Sequence, residues 1–113
     1  MSCLFCKIAN KEIQSKVVLE NDHAISFHDV NPVAPTHVLV IPKKHIASIH
    51  EATDADTSLL GELLQMARNV ATTLGLQQNG YRLVVNTGKD AGQSVFHIHV
   101  HVIAGRTLAW PPG

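Results

Sequence analysis

The chain has 113 residues, 9 basic and 9 acidic side chains, and a formal net charge of zero when histidine is neutral. This length favours one domain over residues 1–113, and the charge balance argues against broad electrostatic binding of nucleic acid or of a membrane surface. No stretch is apolar over the length of a membrane span, and no basic segment followed by an apolar one predicts a secretory signal. We therefore expect a cytoplasmic domain.

Two cysteines, Cys3 and Cys6, stand three positions apart near the start of the chain. This spacing is typical of half of a structural zinc site, for which two further ligands must come from elsewhere. A redox pair is one alternative. A second alternative is that both cysteines are free thiols that pack as small apolar side chains under the N-terminal segment.

Five strands and one long helix follow from the hydrophobic pattern. The predicted strands cover residues 16–20, 23–28, 37–41, 81–86 and 96–103. Apolar residues at three- and four-residue steps over residues 59–74 predict the helix, which we expect to serve core packing only. Thr53 or Asp54 would cap its start and Gly75 its end. This order of elements predicts an α+β fold with an antiparallel sheet.

The last predicted strand carries a histidine at every second position, namely His97, His99 and His101. Residues two apart on a strand share a face, so the three imidazoles should stand in a row opposite an apolar face. Neutral imidazole is a good nucleophile near neutral pH, and the neighbours of His99 can fix its tautomer or donate to a bound anion. A chance spacing and an adventitious metal site are the alternatives, and catalytic zinc fits less well because its ligands usually come from different elements.

A polar loop over residues 87–95 joins the last two predicted strands. Asn86, Ser94 and backbone N–H groups near Gly92 and Gln93 are candidate donors to phosphate oxygens. Loop flexibility alone would also explain the glycines. Together, the histidines and the loop favour phosphoryl or nucleotidyl transfer through a covalent histidine intermediate.

The histidine-rich segment is similar to the signature of the histidine triad family of nucleotide hydrolases and transferases, and further motifs resemble its Hint branch. These motifs lie at residues 27–30, 34–37, 40–45, 80–82, 85–86, 92–95 and 105–113. The resemblance implies a HIT-like fold with about five antiparallel strands, one long helix and a shorter one. It also implies a homodimer in which two sheets join edge to edge into one continuous sheet.

The activity implied by this resemblance is hydrolysis of the P–N bond of purine nucleoside 5′-phosphoramidates, with AMP or GMP as the bound nucleotide. His99 would be the nucleophile, and a nucleotidyl-histidine intermediate would then react with water. His101 would contact the phosphate, while His97 and His37 would support the row. A dinucleoside polyphosphate hydrolase, a nucleotide-binding scaffold with incidental turnover and a small zinc module are the alternatives.

The resemblance also assigns a nucleotide site. Asp29 matches a residue that accepts the ribose hydroxyls, although an acidic residue after a strand also suits a turn. The implied purine contacts are Phe5, Ile8, Phe27, Val30 and Leu39, and the implied phosphate contacts are Asn86, Gly92, Gln93 and Ser94, with Ser94 donating to the phosphate or leaving group. Trp110 resembles a tail residue that crosses toward the neighbouring subunit's pocket, and an interface or core aromatic is the alternative.

The resemblance also implies the two further zinc ligands. In cysteine-bearing relatives, the residues that bind zinc together with the cysteine pair match His45 and His97 of this chain. Zinc bound there would be structural, with no open coordination position, and catalysis would require no cofactor. If His97 binds zinc, its role is to anchor the segment that carries His99.

Overall fold

A computed structural model describes residues 3–113 and contains one antiparallel sheet of five strands in the order β1-β2-β3-β5-β4. The strands are β1 (Val17–Glu20), β2 (Ala24–His28), β3 (Thr36–Pro42), β4 (Arg82–Val84) and β5 (Val100–Ala104). A short helix, α1 (Leu4–Ala9), and a long one, α2 (Thr57–Thr73), accompany the sheet. The predicted α+β class is confirmed, with five antiparallel strands, one long helix and a shorter one. Nowhere in residues 3–113 is a helix long and apolar enough to cross a membrane.

The central strand β3 separates two apolar layers because its side chains alternate between the sheet faces. Val38 and Val40 pack with the buried face of α2, whereas Leu39 and Ile41 pack in a second cluster that includes residues of α1. His37 has the same parity along β3 as Leu39, so its imidazole belongs to the α1 face. The sheet therefore presents one face to a long packing helix and the other to the N-terminal segment.

The α2 helix begins two or three residues later than its capping signal suggested. Thr53 and Asp56 form a capping box around a 3₁₀ turn at Asp54–Asp56, and the α-helix starts at Thr57. Gly75 adopts a φ of 71°, which fits its predicted place at the C-terminal end because glycine enters this region without steric cost. The predicted core role of the helix agrees with the burial of Leu63, Ala67 and Val70.

The histidine segment is less regular than the sequence predicted. β5 begins only at Val100, so His101 lies on the strand while His97 and His99 precede it. Strand pairing does not extend back to Ile98, because the Ile98 N–H donates to the Ile46 carbonyl instead of to a neighbouring strand. The prediction that all three imidazoles lie on one strand was therefore wrong. His97 instead lies in a cluster with Cys3, Cys6 and His45.

Candidate active site

His99 is held in one tautomer by the backbone. Its Nδ1 lies 2.8 Å from the His97 carbonyl oxygen, and since a carbonyl only accepts, Nδ1 must carry the proton. In the neutral ring Nε2 then keeps its lone pair. The side chain is only 6% exposed, and its ring centroid is 5.0 Å from that of His101. His99 is thus a buried imidazole whose nucleophilic nitrogen is Nε2.

A second chain of hydrogen bonds assigns the tautomers of His37 and His101. The Val33 N–H donates to His37 Nδ1 at 3.2 Å, so the neutral His37 ring carries its proton on Nε2. That Nε2 lies 2.9 Å from His101 Nδ1, which therefore accepts and leaves the His101 proton on its own Nε2. This series of hydrogen bonds therefore leaves an N–H donor at Nε2 of His101, the ring next to His99.

Burial keeps this pair of imidazoles neutral. Burial, together with the neighbouring His99 and His37 and against the opposing Asp29 carboxylate, lowers the pKa of His101 to about 4. Burial also lowers the pKa of His37, although Asp29 lies 3.5 Å from its Nε2. At neutral pH both rings are therefore neutral, with one proton each, and the tautomer assignments above apply.

Cys3, Cys6, His45 and His97 converge in a four-residue cluster. His97 donates from Nε2 to the Pro42 carbonyl at 2.8 Å, so its Nδ1 carries the lone pair in the neutral ring. This Nδ1 lies 3.3 Å from Cys3 Sγ and 3.2 Å from His45 Nδ1. Cys6 Sγ lies 3.6 Å from His97 Nδ1 and 3.3 Å from His45 Nδ1.

The donor atoms of this four-residue cluster fit a tetrahedral metal site. All four atoms lie within 4.8 Å of one another. With zinc bonds of about 2.1 Å to nitrogen and about 2.3 Å to sulfur, the edges of such a tetrahedron measure roughly 3.4 to 3.8 Å. The distances in the cluster come close to these values, so little movement would be needed to bind a metal.

Asp29, His37 and His101 also group within 4.8 Å, but they fit a metal less well. The His37 Nδ1 lone pair is occupied by the Val33 N–H, which leaves a proton on the nitrogen that faces the other two residues. A metal there would have to displace that proton. We therefore interpret this second group as a proton-bearing part of the histidine site.

The loop before the histidine segment is locked by the side chain of Gln93. Its amide oxygen accepts the Gly88 N–H at 2.9 Å, and its Nε2 donates to the carbonyls of Ala47 at 2.7 Å and Val95 at 3.1 Å. The backbone N–H groups of Gly92 and Gln93 donate to carbonyls within the same loop. These donors, which the sequence suggested for phosphate, are already engaged.

Asn86 and Ser94 differ from Gln93 in this respect. Ser94 is exposed and Asn86 is half-buried, and within residues 3–113 neither side chain makes a hydrogen bond. Both polar groups can therefore donate to a bound molecule. The locking role of Gln93 was missed by sequence reasoning, because its partners include Ala47, which lies 46 positions away.

Four of the five residues expected to contact a purine share one buried apolar cluster. They are Phe5, Ile8, Phe27 and Leu39. Val30, in contrast, is 91% exposed in the loop after β2. Asp29 begins that loop, and its Oδ1 accepts the Asn31 N–H at 2.8 Å, which is the turn contact considered as an alternative.

The C-terminal tail leaves Trp110 81% exposed on this chain. Arg82 of β4 holds the tail nearby by donating to the Ala109 carbonyl at 2.9 Å. An aromatic residue in the core is therefore excluded, and a contact outside this chain remains the interpretation of Trp110.

Comparison with known proteins identifies the family. Residues 10–108 match the family model of the HIT domain. The chain belongs to the HIT domain family. An uncharacterised HIT-like protein from Synechocystis sp. is 48% identical over 97% of this chain and 96% of its own length. An uncharacterised HIT-like protein from Synechococcus elongatus is 49% identical over the same shares.

Solved structures of HIT proteins share the fold. A HIT family hydrolase from Legionella pneumophila superimposes with a TM-score of 0.96 at 50% identity, over 99% of this chain and 100% of that one. A histidine triad nucleotide-binding protein from Candida albicans gives a TM-score of 0.84 at 35% identity, over 97% and 83% of the two chains. The HIT-like fold expected from the sequence is therefore confirmed.

The Gln93 lock of this HIT domain predicts a specific instability. Gln93→Glu keeps the shape but removes two donors and buries a carboxylate, so we expect the free energy of unfolding to fall by about 2 to 4 kcal/mol. Urea denaturation measures the change, with exposed Gln65→Glu on α2 as the matched control. Equal stability of the two variants would contradict the locking role.

Acid should destabilise this HIT domain through His101. The unfolded ring has its ordinary pKa of 6.5 and binds a proton before the folded ring, whose pKa is about 4. The stability due to neutral His101 is therefore complete above pH 6.5 and is lost as the pH falls toward 4, by at most about 3 kcal/mol. Urea denaturation across this range should show a shallower loss for His101→Asn than for wild type, and exposed His50→Asn should follow wild type.

Proposed function

We propose that this HIT protein hydrolyses the P–N bond of purine nucleoside 5′-phosphoramidates through a nucleotidyl-histidine intermediate at His99. The observation that carries the proposal is the His99 Nδ1–H bond to the His97 carbonyl, which leaves Nε2 as a nucleophile in a buried ring. The HIT relatives described as a hydrolase and as a nucleotide-binding protein support a reaction on a nucleotide.

In the first step, His99 Nε2 attacks the α-phosphorus and the P–N bond of the substrate breaks. The departing nitrogen keeps the bonding pair and takes up one proton from solvent by way of the Ser94 hydroxyl, so it leaves as a neutral amine. The His99 ring becomes cationic because its Nδ1 proton is retained. The His97 carbonyl at 2.8 Å stabilises that charge, since hydrogen bonds from charged donors are stronger than neutral ones.

In the second step, water attacks the phosphorus and the bond from phosphorus to His99 Nε2 breaks. The water gives up a proton that replaces the one consumed by the amine, and neutral His99 is regenerated as AMP or GMP leaves. The His101 Nε2–H donates to a phosphate oxygen in both steps. Its donor state follows from the hydrogen bond that His101 Nδ1 accepts from His37.

The nucleotide would extend from the histidines along the α1 face of the sheet. The buried apolar set Phe5, Ile8, Phe27 and Leu39 and the exposed Val30 would contact the purine. Asp29 would accept the ribose hydroxyls, because a carboxylate that receives one N–H still has unused lone pairs. Asn86 and Ser94 would donate to the phosphate, while Gly92 and Gln93 would shape the loop that carries them.

The four-residue cluster would hold a structural zinc ion, with Cys3, Cys6, His45 and His97 as ligands. Two thiols and two imidazoles in a closed set of four are donors that zinc prefers, and they leave no open position for chemistry. Zinc bound there would stabilise the fold, and the reaction itself would need no cofactor. Reduced cysteines as ligands also favour a reducing compartment, which supports a cytoplasmic location.

We also propose a homodimer with one continuous sheet. β4 is an edge strand with exposed Leu83, and Val85, which follows it, and Phe96, which precedes β5, are exposed as well. An apolar edge strand is a template for pairing with a second chain. The exposed Trp110, held near β4 by Arg82, would then reach the neighbouring subunit's site.

The test is turnover of adenosine monophosphoramidate by the purified protein, with release of AMP as the readout. A dinucleotide of AMP and ADP serves as the second substrate. We expect fast cleavage of the phosphoramidate and slower cleavage of the dinucleotide. Cleavage of the dinucleotide alone would instead indicate a dinucleoside polyphosphate hydrolase, and AMP binding without turnover of either substrate would indicate a nucleotide-binding scaffold.

A further inference from the structure

We propose that Phe5 is a positioning residue through which the four-residue cluster holds the His99 nucleophile in its reactive orientation. The inference rests on the proposed function, because it assigns to Phe5 a part in the rate of that reaction besides the purine contact already expected.

Phe5 connects the two sites by direct contact. It lies on α1 between Cys3 and Cys6, and it is buried. Its ring centroid is 5.1 Å from that of His99 at an interplanar angle of 82°, and 6.0 Å from that of His97 at 78°. Both geometries are edge-to-face, which is a favoured arrangement of aromatic rings. A shift of Phe5 would therefore release one side of the His99 ring.

The position of Phe5 depends in turn on the cluster. α1 has only 6 residues, and a helix of that length is not stable without tertiary contacts. Cys3 fixes its start by accepting the Cys6 N–H at Sγ, at 3.4 Å, and both thiols face the His97 ring. The cluster therefore fixes the helix that carries Phe5.

His97 supplies a second link from the same cluster. Its ring is anchored at Nδ1 by the cluster and at Nε2 by the Pro42 carbonyl, while its own carbonyl accepts the His99 Nδ1–H. The His99 ring is thus held at one nitrogen by His97 and on one side by Phe5. If Phe5 is lost, the His99 ring keeps only the His97 carbonyl and the contact with His101 to resist rotation, and Nε2 spends less time directed at the substrate.

The decisive comparison uses Phe5→Leu, which keeps apolar volume but removes the ring. Ile25→Val is the matched control, since Ile25 belongs to the same buried cluster and lies outside the histidine site. We expect Phe5→Leu to lower kcat about tenfold or more, which is a larger factor than the loss of AMP affinity that follows from its purine contact. The control should change neither quantity.

Nitrogen-15 NMR of the imidazole rings supplies a readout that general destabilisation would not change. Wild-type His99 should show a single tautomer protonated at Nδ1, and Phe5→Leu should show a mixture or a broadened signal. Cys3→Ser should give the same altered signal, because serine keeps the helix cap but is a poor metal ligand. The measurement on wild type does not depend on any variant folding.

Weaker AMP binding with unchanged kcat in Phe5→Leu would overturn the inference and reduce Phe5 to a purine contact. An unaltered His99 signal in Cys3→Ser would overturn the link to the cluster. Failure of the proposed function has a different signature, namely no turnover by wild type or full turnover by a variant that lacks the His99 ring.

Discussion

Replacing His99 with alanine is expected to lower the turnover of adenosine monophosphoramidate by at least about 10³-fold. Alanine removes the nitrogen proposed to attack the phosphorus of the substrate, so the covalent route closes and only direct attack by water remains. The hydrogen bond to the His97 carbonyl is lost as well, but that carbonyl belongs to a segment also held by Pro42 and Ile46. Initial rates of AMP release at saturating substrate measure the effect.

Two comparisons distinguish loss of the nucleophile from loss of structure. Exposed His50→Ala should keep full turnover, and His99→Ala should keep AMP binding and a cooperative unfolding transition. His101→Asn should lose less than His99→Ala, about 10- to 100-fold, because it removes a donor to the phosphate and leaves the nucleophile. If His99→Ala retains more than about a tenth of wild-type turnover, the covalent route is wrong.

The architecture of this domain was accessible from the sequence because it depends on local periodicity. Along β3, valines at residues 38 and 40 alternate with Leu39 and Ile41, and each set enters a different apolar layer. The α2 stripe repeats at helical spacing and occupies one of those layers. Burial of alternating faces therefore determines both the class of fold and the side of the sheet on which His37 lies.

The backbone of the histidine segment was not accessible in the same way. The alternation of imidazoles and branched residues predicts a strand from residue 96, yet the strand starts at Val100. Its start is decided by distant groups, the Ile46 carbonyl that binds the Ile98 N–H and the Pro42 carbonyl that binds the His97 ring. Local pattern cannot reveal such partners, because they depend on how the rest of the chain has folded.

The engagement of Gln93 and the tautomers of the histidines belong to the same class of feature. A glutamine beside a serine in a glycine-containing loop suggests donors for an anion, and only the three-dimensional contacts show that this amide is already saturated. Likewise, the proton positions on His37 and His99 follow from one backbone N–H and one carbonyl. Residue type predicts which side chains form the candidate site, and the backbone decides which nitrogen of each ring carries the proton.

Loss of the proposed zinc ion is expected to be the largest change in stability available to this chain. Cys3→Ser should reduce bound zinc from about one ion per chain to nearly none and lower the free energy of unfolding by about 3 kcal/mol or more. For a domain of this size that corresponds to a fall in Tm of roughly 10 to 20 °C. The variant keeps an oxygen that can cap α1 at the Cys6 N–H, so the loss reports on the metal ligand and not on the cap.

A chelator separates zinc from the thiol itself. Treatment of wild type should lower its Tm to that of Cys3→Ser, while the same treatment should leave Cys3→Ser unchanged, because the two perturbations remove one and the same ion. Metal analysis before and after treatment completes the measurement. A wild-type protein that contains no zinc and whose Tm does not respond to the chelator would show instead that the thiols and imidazoles stabilise this end of the sheet by packing and hydrogen bonds alone.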